Sequence, residues 1–227
     1  MKLLALDTST EFLSLALWQD GELRVRELLA GQKHSELLLP LLGELLAEAG
    51  WRLNELDGIA FGMGPGSFTG LRIGCGVAQG LAFGAGVPVI GVGTLEALAQ
   101  QAGQDKVIAC LDARMQEVYY AAYEKCEAGW REMLAPELCP PERVPPVHGG
   151  GWFAIGSGWD SFGEALQGAY PGQIAQVIRG AFPLARDMAA LAAPRFARGE
   201  GLAAHQAAPH YVRNKVALTI KERERAT

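Results

Sequence analysis

The sequence predicts an α/β protein built twice over, with two lobes that each follow the order βββαβα. Three observations carry the prediction. Apolar runs separated by turn residues open the chain, and a strand–turn–strand signature at Leu4 returns 105 residues later at Ala109. A glycine-rich turn also sits between a strand-like run and a helical one.

The elements follow in order. Lys2–Asp7 and Phe12–Trp18 are apolar runs, and Asp20-Gly21 is a hairpin signal before a third strand at Glu22–Leu29. A leucine-rich helix is expected over about Ser35–Ala49, then a short buried strand at Asp57–Met63. Gly64-Pro65-Gly66-Ser67 opens a helix of about Phe68–Gly84, and Val87–Val92 is the next strand. The Thr94 hydroxyl caps a short helix running to about Gln101. Such an order is that of a ribonuclease-H-like sheet with helices packed on it.

The second half repeats the first. Leu4-Ala5-Leu6-Asp7 matches Ala109-Cys110-Leu111-Asp112, and Phe12–Trp18 matches Glu117–Tyr123. Each copy turns, at Asp20-Gly21 or Glu127-Ala128-Gly129, into a third strand. A Pro-rich loop from Pro136 to Pro146, a strand at Phe153–Ile155, a helix from about Asp160 and another from about Leu184 to Arg198 complete the copy. Two βββαβα copies describe a duplicated ribonuclease-H-like fold, the actin-like ATPase or ASKHA architecture shared with acetate and sugar kinases. The expected division is 1–103 for the first lobe and 104–208 for a degenerate second lobe. The tail, 209–227, is expected to pack back on the first lobe.

Composition narrows the function classes. With 49% hydrophobic and 20% charged residues the chain is globular. The longest membrane-span candidate, Ile73 to Gly91, is broken by glycines and Pro88 and reads as a helix plus a strand, so no membrane association is expected. A net charge of −5 supplies no basic face for tight nucleic-acid binding. The one local basic excess, Arg213, Lys215, Lys221, Arg223 and Arg225, is diluted by Glu222 and Glu224 and reads as a solvated terminal helix. Four dispersed cysteines without a CxxC pair, and no preceding signal peptide, point to a reducing, cytoplasmic compartment. His34, His148, His205 and His210 are scattered, so no metal site is expected.

Several motifs bear on chemistry. The loop Asp7-Thr8-Ser9-Thr10 has hydroxyls and amides for a phosphate and a carboxylate for a magnesium-bound water, or Asp7 simply caps a turn. Its counterpart, Asp112-Ala113-Arg114-Met115, lacks both glycine and hydroxyl and is a degraded version. Gly64 to Arg72 is neither a P-loop nor a nucleophile elbow; it reads as a tight structural turn or as an anion site around Ser67 at a helix start. Arg72 then places an anion or makes a structural ion pair. Gly156-Ser157-Gly158-Trp159 is a weak candidate for an adenine-side loop. No catalytic constellation emerges.

Two helices point instead to a partner. Gly70, Gly74, Gly76, Gly80 and Gly84 fall in one helix at about 1 kcal/mol each, which close backbone approach would offset. Gly76, Gly80 and Gly84 share one face. In the preceding helix, apolar positions from Leu37 to Ala49 cover an arc of roughly 200°, about twice what one sheet face requires. The surplus implies an interface formed by Leu37, Leu38, Leu41, Leu45, Gly76, Val77, Gly80 and Leu81. Pro40 either kinks this helix or sits in its first turn.

Taken together, Leu4 to Thr10, His34-Ser35-Glu36-Leu37-Leu38, Gly64 to Gly74 (GPGSFTGLRIG) and Pro209-His210-Tyr211-Val212-Arg213 resemble the bacterial TsaB (YeaZ) family from end to end. The resemblance implies a non-catalytic paralogue of the TsaD transferase. It would be a scaffold subunit of the complex that installs threonylcarbamoyl on the adenosine beside the anticodon of ANN-decoding tRNAs. It further implies pairing with TsaD and with the TsaE ATPase, a homodimer when alone, and tRNA contact only through the complex. ATP or ADP would bind at the TsaD junction and not tightly to this chain alone. Where TsaD-like proteins carry metal-binding histidines, the matching Thr94 and Leu98 offer no ligand set. The rival from the same superfamily is a small-molecule kinase or ATPase using Asp7, Thr8 and Ser9 for phosphates.

Overall fold

The computed structural model describes residues 1–213, so the basic cluster beyond Arg213 lies outside the described residues. In the first half, β1 (Lys2–Asp7), β2 (Phe12–Gln19) and β3 (Glu22–Leu29) form an antiparallel meander. Asp20 and Gly21 both take positive φ, 50° and 97°, the mirror-image turn whose twist suits a two-residue hairpin. Helix α1 (His34–Ala49), β4 (Gly58–Gly64), α2 (Phe68–Ala85), β5 (Val89–Gly93) and α3 (Thr94–Ala102) follow. Strands β4 and β5 add in parallel beyond β1, giving the order β3-β2-β1-β4-β5.

The second half holds β6 (Lys106–Asp112), β7 (Val118–Cys126), β8 (Gly129–Cys139), β9 (Trp152–Ile155), α4 (Ser157–Ala169), β10 (Ile174–Ile178) and α5 (Ala185–Ala197). Its sheet, β8-β7-β6-β9-β10, repeats the first strand for strand. The duplication read from the sequence is therefore present as topology.

Details differ from the sequence expectation, beginning with Thr94, which is the first residue of α3 and not its cap, the cap position being Gly93. Strand β8 runs through Pro136 to Cys139, where a loop was expected, because β8 is an edge strand and a proline there can turn its missing donor outward. Between β8 and β9 a one-turn 3-10 helix, Pro141–Arg143, replaces the first helix of the repeat. Prolines 140, 141, 145 and 146 leave no room for an α-helix there, so the second lobe is βββ–β–α–β–α. Strand β10 was not expected, since its residues do not alternate between the two faces of a strand.

Helices α1 and α2 cover one face of the first sheet, where Leu38, Leu42 and Leu45 meet Leu4, Leu15, Ile59 and Phe61. The other face receives α5, from the far end of the chain, through Ala185, Met188, Ala189 and Ala192 against Ala5, Ala16, Ala60 and Ile90. Small residues on both sides let helix and sheet backbones approach closely. Helix α3 does the reciprocal thing, placing Leu95, Leu98 and Ala99 on Val107, Ala109 and Tyr123 of the second sheet. Residues 185–197, expected within the second lobe, thus complete the core of the first. Helix α4 closes the outer face of the second sheet with Trp159 and Leu166. No helix among the described residues is long and apolar enough to cross a membrane.

Candidate functional site

Two regions gather the residues singled out from the sequence: a cleft between the lobes and the outer flank of α1 and α2. The cleft, about 950 Å³, is walled by the β1–β2 loop, the start of α2 and the β6–β7 loop, with His210 to Arg213 along one side.

The β1–β2 loop is turned inward. Asp7 is fully buried; its Oδ1 accepts from the Ser9 amide (3.1 Å) and the Ser9 hydroxyl (2.8 Å). Oδ2 finds no partner among the described residues, and burial pushes the carboxyl up to about 7 against that Ser9 pair. The Thr8 hydroxyl donates to the Gly70 carbonyl at 2.7 Å, and the Ser9 carbonyl accepts from the Ser67 amide at 2.7 Å. Asp7, Thr8 and Ser9 were expected as anion or nucleotide contacts. In this structure the glycine turn and the start of α2 pack on Thr8 and Ser9, Asp7 lies against Gly62 of β4, and the exposure of all three is 2% or less.

The glycines make this closure possible. A Cβ on Gly70 would stand 1.9 Å from the Thr8 carbonyl oxygen, and one on Gly62 would stand 1.9 Å from Asp7 Oδ2. Ser67 caps α2 by accepting from the Gly70 amide at 3.3 Å, so its hydroxyl serves the helix. Arg72 makes no ion pair among the described residues. Its guanidinium lies 3.7 Å from the Phe68 ring centroid, and Nε donates to the Tyr211 hydroxyl at 2.9 Å.

The β6–β7 loop is strained. Arg114, Met115 and Gln116 take φ of 62°, 57° and 59°, three consecutive left-handed residues without a glycine. Each such residue costs roughly 1–2 kcal/mol. Asp112 holds the loop by accepting from the Arg114 amide at 2.7 Å, while Ser157 Oγ accepts from the Asp112 amide at 3.1 Å. Gly156 and Gly158 are pressed onto Cys110, and Trp159 is fully buried. The Gly156–Trp159 segment is thus a packing joint through its glycines and Trp159, with Ser157 on the cleft wall. Thr94 donates to the Pro65 carbonyl, Leu98 lies in the second core, and no group of three or more His, Cys, Asp or Glu among the described residues is placed to hold a metal.

The flank of α1 and α2 behaves differently. Leu38 and Leu45, expected at an interface, are 1% and 0% exposed and belong to the core, facing the sheet directly. Leu37, Leu41, Val77 and Leu81 are half-buried at its margin. Gly76, Gly80 and Gly84 have no atom within 4 Å of where a Cβ would stand, so packing among the described residues does not explain them. Pro40 lies inside α1 on its exposed side, one turn along from the solvent-facing Glu36. Phe83 was missed from the sequence, and at 83% it is the most exposed large hydrophobic side chain among the described residues; Leu39 is 52% exposed. Helical spacing could have found Phe83, since seven residues place it nearly over Gly76.

The geometry can be set beside known proteins. The sequence profile described as TsaD, tRNA N6-adenosine threonylcarbamoyltransferase, matches residues 28–217. The tRNA threonylcarbamoyladenosine biosynthesis protein TsaB of Escherichia coli is 40% identical, covering 96% of each chain. The Haemophilus influenzae protein of the same name is 39% identical over 95% of each. The solved structure of YeaZ from Pseudomonas aeruginosa superposes with a TM-score of 0.84 at 42% identity, covering 92% of this chain and 99% of that one.

Proposed function

The chain belongs to the TsaB (YeaZ) family, and from that premise we propose that it serves tRNA threonylcarbamoyladenosine biosynthesis as a non-catalytic subunit. Its role is to dock a TsaD-like transferase through the outer flank of α1 and α2. A TsaE-like ATPase joins the pair, tRNA is met only through the assembly, and ATP or ADP binds at the junction of subunits. Alone, the chain pairs with a second copy through the same flank.

One observation carries the docking reading. Gly76, Gly80 and Gly84 sit bare in a helix interior beside an exposed Phe83. Three glycines cost α2 about 3 kcal/mol relative to alanine, and nothing among the described residues fills the space above them. A helix from another protein, seated on that bare backbone and covering Phe83, Leu37 and Leu41, would offset the cost. The inward-folded Asp7, Thr8 and Ser9 fit the same reading, because a loop spent on its own glycine turn is poorly placed for phosphoryl transfer.

Co-purification with the transferase tests this. Phe83→Glu, at a side chain 83% exposed, should abolish co-elution while leaving the melting temperature of the isolated chain nearly unchanged. Co-elution that persists overturns the flank assignment. Reconstituted tRNA modification should require the chain, and magnesium–ATP turnover by the isolated chain would favour the kinase or ATPase reading instead.

A further inference from the structure

We propose that His210–Arg213 is a strap that latches the two lobes together along the cleft and holds the β6–β7 loop in its left-handed form. Its two ends grip different lobes. On the first lobe, the His210 amide donates to the Met63 carbonyl at 2.7 Å, and the His210 carbonyl lies so near Gly64 that a Cβ there would stand 2.6 Å from it. Tyr211 packs its ring on Phe68, 5.4 Å between centroids, and its hydroxyl accepts from Arg72.

Two residues later the chain grips the second lobe. Arg213 Nη2 donates to the Glu117 carboxylate at 2.7 Å and to the Ala113 carbonyl at 3.0 Å, while Nη1 meets the Met115 sulfur at 3.0 Å. Only 14% of that side chain is exposed. These three contacts bracket the run of left-handed residues, 114 to 116, at both ends and in the middle. A strained loop persists where its surroundings over-determine it, and Arg213 supplies that over-determination from outside the loop. Val212 joins the second core between the two grips.

The latch matters because the lobes otherwise meet through α3 and α5, which lie between the sheets, through Phe12 stacked on Phe182, and, among the described residues, across the cleft only at the exposed Arg114–Glu11 pair, 4.0 Å apart. With the strap released, the cleft can open about those helices and the β6–β7 loop can relax. The inference is independent of the docking reading, since it concerns the cleft side of the molecule.

Amide hydrogen exchange on the full chain tests it. The reporters are the Ala113 amide, bonded to the Glu117 carbonyl, the Glu117 amide, bonded to Arg114, and the His210 amide. In Arg213→Ala these should exchange at least tenfold faster, with Leu4–Leu6 and Ala109–Leu111 unchanged and a larger radius of gyration in solution scattering. Arg213→Lys, which keeps the charge but loses the fork, should fall between. Tyr211→Ala should release His210 first, and it keeps the test available should Arg213→Ala fail to fold. Unchanged protection at Ala113 and Glu117 would overturn the proposal. So would an acceleration spread evenly over both sheets, which would make Arg213 an ordinary stabilising contact.

Discussion

Replacing Asp7 with asparagine should change how stability depends on pH. Asp7 is wholly buried, its Oδ2 faces Gly62 and the Met188 methyl group, and its carboxyl is raised from the ordinary 3.8 to about 7. Below pH 3.8 both folded and unfolded chains hold the proton, and Asp7 carries no penalty. Between 3.8 and 7 the folded chain keeps a proton that the unfolded chain has released, so stability falls as pH rises. Above pH 7 the full cost is present. At about 1.4 kcal/mol per pH unit, that cost is about 4 kcal/mol. Asparagine keeps an acceptor for the Ser9 amide and hydroxyl, and it does not titrate. Its own amide nitrogen, without a partner beside Gly62, adds about 1–3 kcal/mol of penalty that is the same at every pH. The measurable quantity is therefore a slope. Urea denaturation from pH 4 to 8.5 should show Asp7→Asn gaining on the parent by about 4 kcal/mol across the range. Asp187, raised to about 6 chiefly by burial, titrates with the same sign in both proteins and cancels in the difference. Parallel curves would refute the reasoning: Asp7 would then be ionised normally in the folded chain, and the loop would not be sealed.

The glycines of α2 should divide into two classes. Gly70→Ala should destabilise by about 2–3 kcal/mol, because its methyl collides with the Thr8 carbonyl, whereas Gly80→Ala should stabilise the isolated chain by about 1 kcal/mol and weaken transferase co-elution. Thermal melts check the pair, and a loss of stability in Gly80→Ala would mean that the face is not open. Thiol labelling should also discriminate. Exposed Cys126 should react first at pH 8, while buried Cys110, whose thiol is pushed up chiefly by desolvation, should react only on unfolding. Equal rates for the two would contradict the packing of α4 on β6.

Much of the site's failure to follow its sequence pattern has one cause. The leucine arc of α1 was legible, yet spacing alone does not say which third of the arc faces the sheet; the answer, Leu38, Leu42 and Leu45, left Leu37 and Leu41 at the margin. The Asp7–Ser9 loop reads as a phosphate loop because its residue types suit one. Its hydroxyls were claimed instead by Gly70 and Asp7, partners that a residue-type pattern does not reveal. Arg72 was legible as a functional cation but not as the partner of Tyr211, because 139 residues separate them in the chain.

Local residue preferences account for the hairpin at Asp20-Gly21, the strand before the glycine turn and the repeat that gives both sheets the same order. These depend on φ preferences and on side-chain periods of two or 3.6, which act over a few residues. Long-range packing accounts for the exchange of α3 and α5 between sheets, the inward-turned β1–β2 loop and the contacts of the segment after Pro209 with both lobes. Each of those is a choice of partner between surfaces far apart in the chain. Close packing of alanine faces, a glycine with no Cβ and a guanidinium seated on a strained loop settle such choices, and none of them leaves a periodic mark.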